Sequence, residues 1–128
     1  MRKRLRDFPE TEERLFFQLL SITSNDLGQG ASPRGSIADA LQFKAALSPG
    51  KVPDYLAEIE KIISQSFRLL EKATAGTGDY RSFELTLAVA LTELNKHNPN
   101  RFKVIWKNLN YPKRQRSRLL DKVSLKAQ

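Results

Sequence analysis

The sequence has 128 residues but no cysteine and only one histidine, His97. Without cysteine there can be no disulfide framework, no thiolate metal site and no cysteine nucleophile. One imidazole cannot supply a histidine-rich metal cluster or any dyad that needs two histidines. These absences favour binding over catalysis, so we expect a protein that is not an enzyme and that holds no metal or other cofactor.

Apolar runs long enough to cross a membrane are also missing, because none approaches the roughly 20 residues that a spanning helix needs. The basic start, Met1–Arg4, has the charge of a signal peptide. Acidic residues follow where a signal peptide would have an apolar segment: Asp7, Glu10, Glu12 and Glu13. We therefore expect a cytoplasmic protein with no membrane partner.

Charge is distributed unevenly along the chain, whose net charge is +8. Residues 1–8 carry +3, residues 9–95 carry −4, and residues 96–128 carry +9 with Asp121 as their single acid. A mildly acidic body thus has a basic start and a strongly basic final quarter. Because the basic residues fall in a helical pattern and not in a low-complexity run, this asymmetry favours a polyanion partner over a merely solvated tail.

Strand-like alternation of apolar and polar residues is nearly absent, whereas helical spacing recurs along the whole chain. We therefore predict an all-α fold, a bundle of five or six short-to-medium helices joined by short turns, with neighbouring helices antiparallel. Residues 1–128 form a single helical domain in this interpretation. Its ends are a basic N-terminal segment (1–8) and a basic C-terminal helical pair (99–124).

Capping residues and helix breakers indicate where each helix begins and ends. The first helix begins near Pro9 and ends before the turn-rich stretch Ser24–Gly35. A capping box of Ser36 and Asp39 opens a second helix that continues to Leu47. Four more helices are predicted: from Pro53 to the turn at Ala75–Gly78, from Tyr80 to Lys96, from Pro99 to the break at Asn110–Pro112, and from Pro112 to Ser124.

The last two predicted helices each combine an apolar face with a cationic one. Apolar residues at i, i+3, i+4 and i+7 share one face of the fifth helix: Phe102, Ile105, Trp106 and Leu109. The apolar half of the sixth helix holds Leu119, Leu120 and Val123, with Arg116 among them. The cations of these two helices are the candidate nucleic-acid-binding residues: Arg101, Lys103, Lys107, Lys113, Arg114, Arg116, Arg118 and Lys122.

These cations suit a phosphate backbone, because arginine offers a planar fork for phosphate oxygens and lysine a mobile point charge. No zinc finger, aromatic RNA-binding motif or glycine-rich clamping loop is present to read bases, so we expect little sequence preference. Trp106 is expected in the core, and Tyr111 suits packing and base stacking equally. His97, at the end of the fourth helix, is expected to satisfy the last helix carbonyls and not to act as a general base.

The whole chain resembles one protein family in its size, helix number and charge. The helical stripe Phe83, Leu87, Leu91 and Leu94 and the basic run Pro112–Arg118 carry the likeness. On these features the chain is similar to the small subunit of a CRISPR effector complex, in particular the type I-D form. The resemblance implies a non-catalytic subunit of an RNA-guided complex that contacts the guide–target duplex or the displaced DNA strand. Its implied partners are guide RNA or DNA, other protein subunits and several copies of itself.

Two other classes of protein fit the same sequence. The fifth and sixth helices, joined at Asn110–Pro112, could form the helix-turn-helix of a regulator or of a plasmid or phage accessory protein, which would prefer one duplex sequence. An adaptor that binds only proteins would not bind nucleic acid even at low salt. Apolar residues near Phe67 and Leu69 exceed what a small bundle is expected to bury, which favours self-association or docking on larger partners.

Overall fold

Five α-helices and no β-strand lie within residues 9–109, which the computed structural model describes together with Leu119 and Asp121. This confirms the predicted all-α class. The basic segment 1–8 and most of the predicted sixth helix lie outside the described residues. The elements are, in chain order, α1 (Pro9–Gly28), α2 (Ser36–Leu41), the 3₁₀ turns Lys44–Ala46 and Pro49–Lys51, α3 (Val52–Lys72), α4 (Gly78–His97) and α5 (Pro99–Asn108).

The first helix continues about one turn further than predicted, through Gly28. Ser24 and Leu27, in the stretch predicted as a loop, are only 2% and 3% exposed. The Ser24 hydroxyl also donates a hydrogen bond to Gln65 Oε1 on α3 at 3.3 Å. Contacts with α3 thus outweigh the low helix propensity of this stretch, since propensities differ by less than about 0.7 kcal/mol per residue for most residue types.

The second helix is shorter than predicted and ends at Leu41. Gly35 occupies the N-cap position in the left-handed conformation (φ 85°) and no side chain caps the helix, so Ser36 is not the cap and the predicted capping box is wrong. The Ser36 hydroxyl is turned instead into a buried hydrogen bond with the Thr23 hydroxyl on α1. The predicted continuation of this helix to Leu47 is replaced by 3₁₀ turns, which are common connectors.

Contacts between the helices fix their directions. α1 and α3 run parallel, because Phe16 packs on Tyr55 with ring centroids 5.1 Å apart, while Ser24 further along α1 bonds to Gln65. α3 and α4 run antiparallel, because Tyr55 at the start of α3 contacts Glu93 near the end of α4. The predicted antiparallel packing thus holds for α3 and α4. α1 differs because α2 and the 3₁₀ turns return the chain before α3 begins.

α4 is the central helix of the bundle, with α2, α3 and α5 packed against it. Every residue from Thr86 to Leu94 is buried, so the burial surrounds the helix and is not confined to one stripe. The sequence predicts a single stripe because threonines and glutamates interrupt the apolar pattern. A helix enclosed on all sides needs partners inside the protein for such polar groups.

α3 follows its predicted apolar stripe most closely. Helical spacing predicts a stripe of Leu56, Ile59, Ile62, Ile63, Ser66, Phe67 and Leu70. The residues that α3 buries are Ile59, Ile62, Ile63, Ser66 and Leu70 of that stripe, with Tyr55 in addition. Phe67 and Leu69 are partly buried and pack against the core, and the self-association or docking expected near them stays a prediction. Among the described residues the exposed large apolar side chains are Ile22, Leu85 and Val104, one each on α1, α4 and α5.

The central position of α4 predicts that a leucine-to-alanine substitution destabilises the protein more at a buried position of this helix than at an exposed one. Leu91 is fully buried, whereas Leu85 of the same helix is 44% exposed. We expect Leu91→Ala to lower the free energy of unfolding by about 3 kcal/mol. Leu85→Ala should lower it by about 0.5 kcal/mol or less. Urea unfolding followed by circular dichroism measures both values, and equal losses would contradict a central α4.

Candidate nucleic-acid interface

α5 carries the described part of the predicted cationic surface, and its start is fixed locally. The Asn98 side chain accepts a hydrogen bond from the backbone N–H of Arg101 at 3.1 Å. Pro99 occupies the first turn, where a backbone N–H is not needed. This confirms the predicted start at Asn98–Pro99, and it leaves only Asn98 between the end of α4 and the beginning of α5.

The apolar face of α5 packs against the bundle, as its spacing predicts. Its large apolar side chains are buried or partly buried: Phe102, Ile105, Trp106 and Leu109. The Phe102 and Trp106 rings are stacked, with centroids 6.3 Å apart and planes at 12°. Trp106 thus belongs to the packed face, and this packing determines which side of α5 points outward.

Lys103 and Lys107 are exposed on the outer side of α5, one turn apart. Four residues of helix separate them by about 6 Å along the axis. Neither lysine forms an ion pair with any other described residue, and α5 contains no acidic side chain. Within this part of the chain, both ammonium groups are left to solvent.

Arg101, the third predicted phosphate contact in this helix, has a partner within the protein. Its Nη2 and Nε donate to the two carboxylate oxygens of Glu60 on α3, at 2.8 and 3.1 Å. The hydrogen bonds and the charge of Glu60 raise the pKa of Arg101. This two-point ion pair joins α5 to α3, so Arg101 differs from Lys103 and Lys107 in being already engaged.

The other predicted contact residues lie outside the described residues: Lys113, Arg114, Arg116, Arg118 and Lys122, with Tyr111. Of the predicted sixth helix the structure describes Leu119 and Asp121, both helical. Leu119 is fully buried and Asp121 is exposed. The burial of Leu119 confirms its predicted position in the core.

A cluster of polar residues near the end of α4 is not anticipated by the sequence pattern. We call it the Glu93 cluster, and its members are Lys44, Tyr55, Glu93, Lys96 and His97. Glu93 is only 3% exposed. The Tyr55 hydroxyl donates to Oε1 of Glu93 at 2.6 Å, and the Lys44 ammonium pairs with the same oxygen. The Lys96 ammonium lies 3.6 Å from Oε2. Three parts of the chain therefore meet at one buried carboxylate: α3, α4 and the turn that follows α2.

Hydrogen bonds keep the central carboxylate of this cluster charged. Burial alone would raise the pKa of Glu93, but the hydrogen bonds from Lys44 and Tyr55 outweigh it, and this pKa lies below its ordinary value. Burial and the neighbouring Glu93 raise the pKa of Tyr55, so the phenol keeps its proton and keeps donating. At neutral pH the cluster therefore contains a carboxylate held by one phenol and two ammonium groups.

His97 lies at the outer side of the cluster. Its ring packs edge-on against the Tyr55 ring, with centroids 5.6 Å apart and planes at 78°. Partial burial and the positive charge of Lys44 lower the pKa of His97; Lys96 adds to this effect and Glu93 opposes it. We find no hydrogen bond from the ring to a described carbonyl, so packing on Tyr55 replaces the predicted capping role.

The sequence pattern misses this cluster because its members lie far apart in the chain. Tyr55 and Glu93 are separated by 38 positions, and Lys44 and Glu93 by 49. The one usable signal is local. Glu93 and His97 are four residues apart at the end of α4, so they share a face. That spacing identifies a polar end of α4 but gives neither residue a partner.

Comparison with known proteins assigns the chain to no family, because it matches no family model, no curated protein and no solved structure. Among the described residues, no group of three or more His, Cys, Asp or Glu side chains is arranged to hold a metal ion. No described helix is both long and apolar enough to cross a bilayer.

Because Lys44 pairs with the buried Glu93, we expect its replacement to destabilise the protein more than the replacement of an exposed lysine. Lys44→Met leaves the carboxylate buried with fewer partners, so we expect the free energy of unfolding to fall by about 3 kcal/mol. Lys61→Met, at an exposed position of α3, should change it by about 0.5 kcal/mol or less. Urea unfolding of both variants measures the difference. A Lys44→Met variant as stable as the parent would rule out this structural role.

The charge of Glu93 also predicts part of the acid sensitivity of the fold. Because its pKa in the folded protein lies below the ordinary value of 4.5, its contribution to stability is present above pH 4.5. That contribution is lost as pH falls through the folded-state pKa. In Glu93→Gln, stability should therefore decline less steeply in this acidic range than in the parent. Urea midpoints measured against pH test this, and parallel curves would speak against it.

Proposed function

We propose that the chain is a non-catalytic nucleic-acid-binding protein that contacts phosphate backbones through the outer face of α5 and the basic sequence after it. The observation that carries the proposal is the pair Lys103 and Lys107, exposed one turn apart on a helix without an acidic residue. Packing of Phe102 against Trp106 helps to hold that face outward. A cationic surface of fixed direction is thus present before any ligand binds.

Charge supports a polyanion as the ligand. Residues 96–128 carry a net charge of +9, whereas residues 9–95 carry −4. Each phosphate that a lysine or arginine neutralises releases condensed counterions, which favours binding at low salt. Lysine is a point charge without a planar fork, so Lys103 and Lys107 suit phosphates better than base edges. We therefore expect little preference for sequence.

The finer proposal is that the protein serves as the small subunit of an RNA-guided CRISPR effector complex of the type I-D kind. The all-helical fold, the basic end of the chain and the resemblance described above support it. In that role the protein contacts the guide–target duplex or the displaced DNA strand, beside other subunits and further copies of itself. A cytoplasmic location follows from the same role.

A sequence-specific regulator is the alternative. Its helix-turn-helix would use the fifth and sixth predicted helices, whose junction at Asn110–Pro112 lies outside the described residues. Such a regulator would bind one duplex sequence far more tightly than random DNA. A small subunit would bind random RNA and DNA with similar affinity, so random-sequence probes distinguish the two.

The test is a pair of double variants. Lys103→Gln with Lys107→Gln removes two charges from the proposed face. It should lower the slope of log affinity against log salt by about 1.8 for duplex DNA, or by about 1.4 for a single strand. Lys61→Gln with Lys72→Gln removes the same charge from exposed positions of α3 and should leave the slope nearly unchanged. Fluorescence anisotropy with random-sequence oligonucleotides over a range of salt concentrations gives both slopes.

Two results would contradict the proposal. The first is a parent protein that binds neither RNA nor DNA at low salt, as an adaptor for proteins would. The second is an equal loss in both double variants, because binding would then depend on total charge and not on α5. Replacing Lys113, Arg114 and Arg118 together with glutamate extends the test to the predicted sixth helix, and should abolish binding while helix content stays unchanged.

A further inference from the structure

Three side chains that can carry positive charge meet beside the start of α5. Lys44 comes from the turn after α2, and Lys96 and His97 come from the last turn of α4. We infer that these three side chains form a phosphate-binding subsite that extends the α5 face around the end of α4. That a nucleic-acid strand is the natural ligand rests on the proposed function, whereas the phosphate chemistry of the subsite does not.

Buried groups hold the three side chains in place. The ammonium groups of Lys44 and Lys96 both pair with the carboxylate of Glu93. The Lys44 ammonium also lies 5.8 Å from the centre of the Tyr55 ring, and the His97 ring packs against that same ring at 5.6 Å. Tyr55 has no exposed surface. The subsite is therefore built on a base that is fixed inside the bundle.

Positive charge exceeds negative charge at the subsite. Glu93 supplies one negative charge to two ammonium groups, and a protonated His97 adds a third positive charge. The side chain of Lys96 is 44% exposed and that of Lys44 is 27% exposed, whereas that of Glu93 is 4% exposed. An anion arriving from solvent thus meets the cations and not the carboxylate. A phosphate presents several anionic oxygens at once, so one group can accept from more than one of these donors.

The subsite lies next to the start of α5 along the chain. Asn98 alone separates His97 from the start of α5. Lys103 and Lys107 lie within about 12 Å of that start along the helix axis. A nucleic-acid strand that contacts these two lysines would therefore come close to the subsite.

Protonation of His97 links this subsite to pH. The groups that face its ring come from three elements: Tyr55 of α3, Lys44 of the turn after α2, and Glu93 and Lys96 of α4. Partial burial and the two lysines hold the pKa of His97 below its ordinary value, so the ring is mostly neutral at neutral pH. A bound phosphate favours the protonated ring and raises this pKa. By linkage, phosphate binds more tightly as pH falls through the pKa of His97.

His97 is the single histidine of the 128-residue chain, so its ring-proton resonance reports on this site alone. The experiment follows that resonance against pH by NMR, first without ligand, then with inorganic pyrophosphate, and then with a short oligothymidylate. We expect each ligand to raise the pKa of His97 by about 0.5 or more, which corresponds to about threefold tighter binding to the protonated protein. A pKa that neither ligand moves would overturn the inference.

Two variants show whether the response belongs to the subsite. Lys96→Gln removes its exposed ammonium group and leaves the pair between Lys44 and Glu93 intact. Lys72→Gln is the matched control, since it makes the same change in the last turn of α3, at the opposite end of the α3–α4 pair. The rise in pKa on adding ligand should be clearly smaller in Lys96→Gln and unchanged in Lys72→Gln. Equal rises in the two variants would also overturn the inference.

The two ligands separate the subsite from the proposed function. If pyrophosphate raises the pKa of His97 while the parent protein binds neither RNA nor DNA, the proposed function is wrong and the subsite stands as a site for free phosphates. If oligothymidylate binds but neither ligand moves that pKa, nucleic-acid binding stands and the subsite is wrong.

Discussion

The pairing of the buried Glu93 carboxylate is the interaction on which much of the bundle depends. Taking a charge out of water costs several kcal/mol, so a carboxylate that is 3% exposed must be paired inside the protein. Its partners come from separate parts of the chain, Lys44 from the turn after α2 and Tyr55 from α3. Apolar burial has no preferred direction, whereas this pairing has one geometry. Meeting that single requirement sets both the register of α3 against α4 and the path of the connection between α2 and α3.

Spacing alone predicts α3 and α5, because each has one face toward the core, and α5 also has Asn98 as a cap. The ends of α1 and α2 and the faces of α4 were less predictable for a shared reason: other helices decide them. α3 holds Ser24 and Leu27 in a helical turn that their propensities would leave as loop. Ser36 bonds to Thr23 and does not cap its own helix. Between Thr86 and Leu94 α4 is enclosed on every side, so the polar residues of that stretch interrupt the apolar pattern without reaching solvent.

The candidate site likewise has one part that the sequence predicts and another that it does not. A helical wheel is enough to place Lys103 and Lys107 outward, because their exposure depends only on which face of their own helix is buried. It cannot show that Arg101 is held by Glu60, which lies 41 positions away on another helix. The Glu93 cluster is even less predictable from the sequence, because it forms only when three elements are brought together. Local pattern thus predicts which charges face outward, and only tertiary structure shows which of them already have partners.

The parallel placement of α1 and α3 has a consequence for the order in which the bundle assembles. α3 and α4 are joined by a short turn, so their contacts can form one after another from that turn outward. α1 has no such route, because Phe16 meets Tyr55, and Ser24 meets Gln65, across about 40 intervening positions. The entropy lost in closing so long a loop is not offset by a first contact. We therefore expect the contacts between α3 and α4 to form before those between α1 and α3.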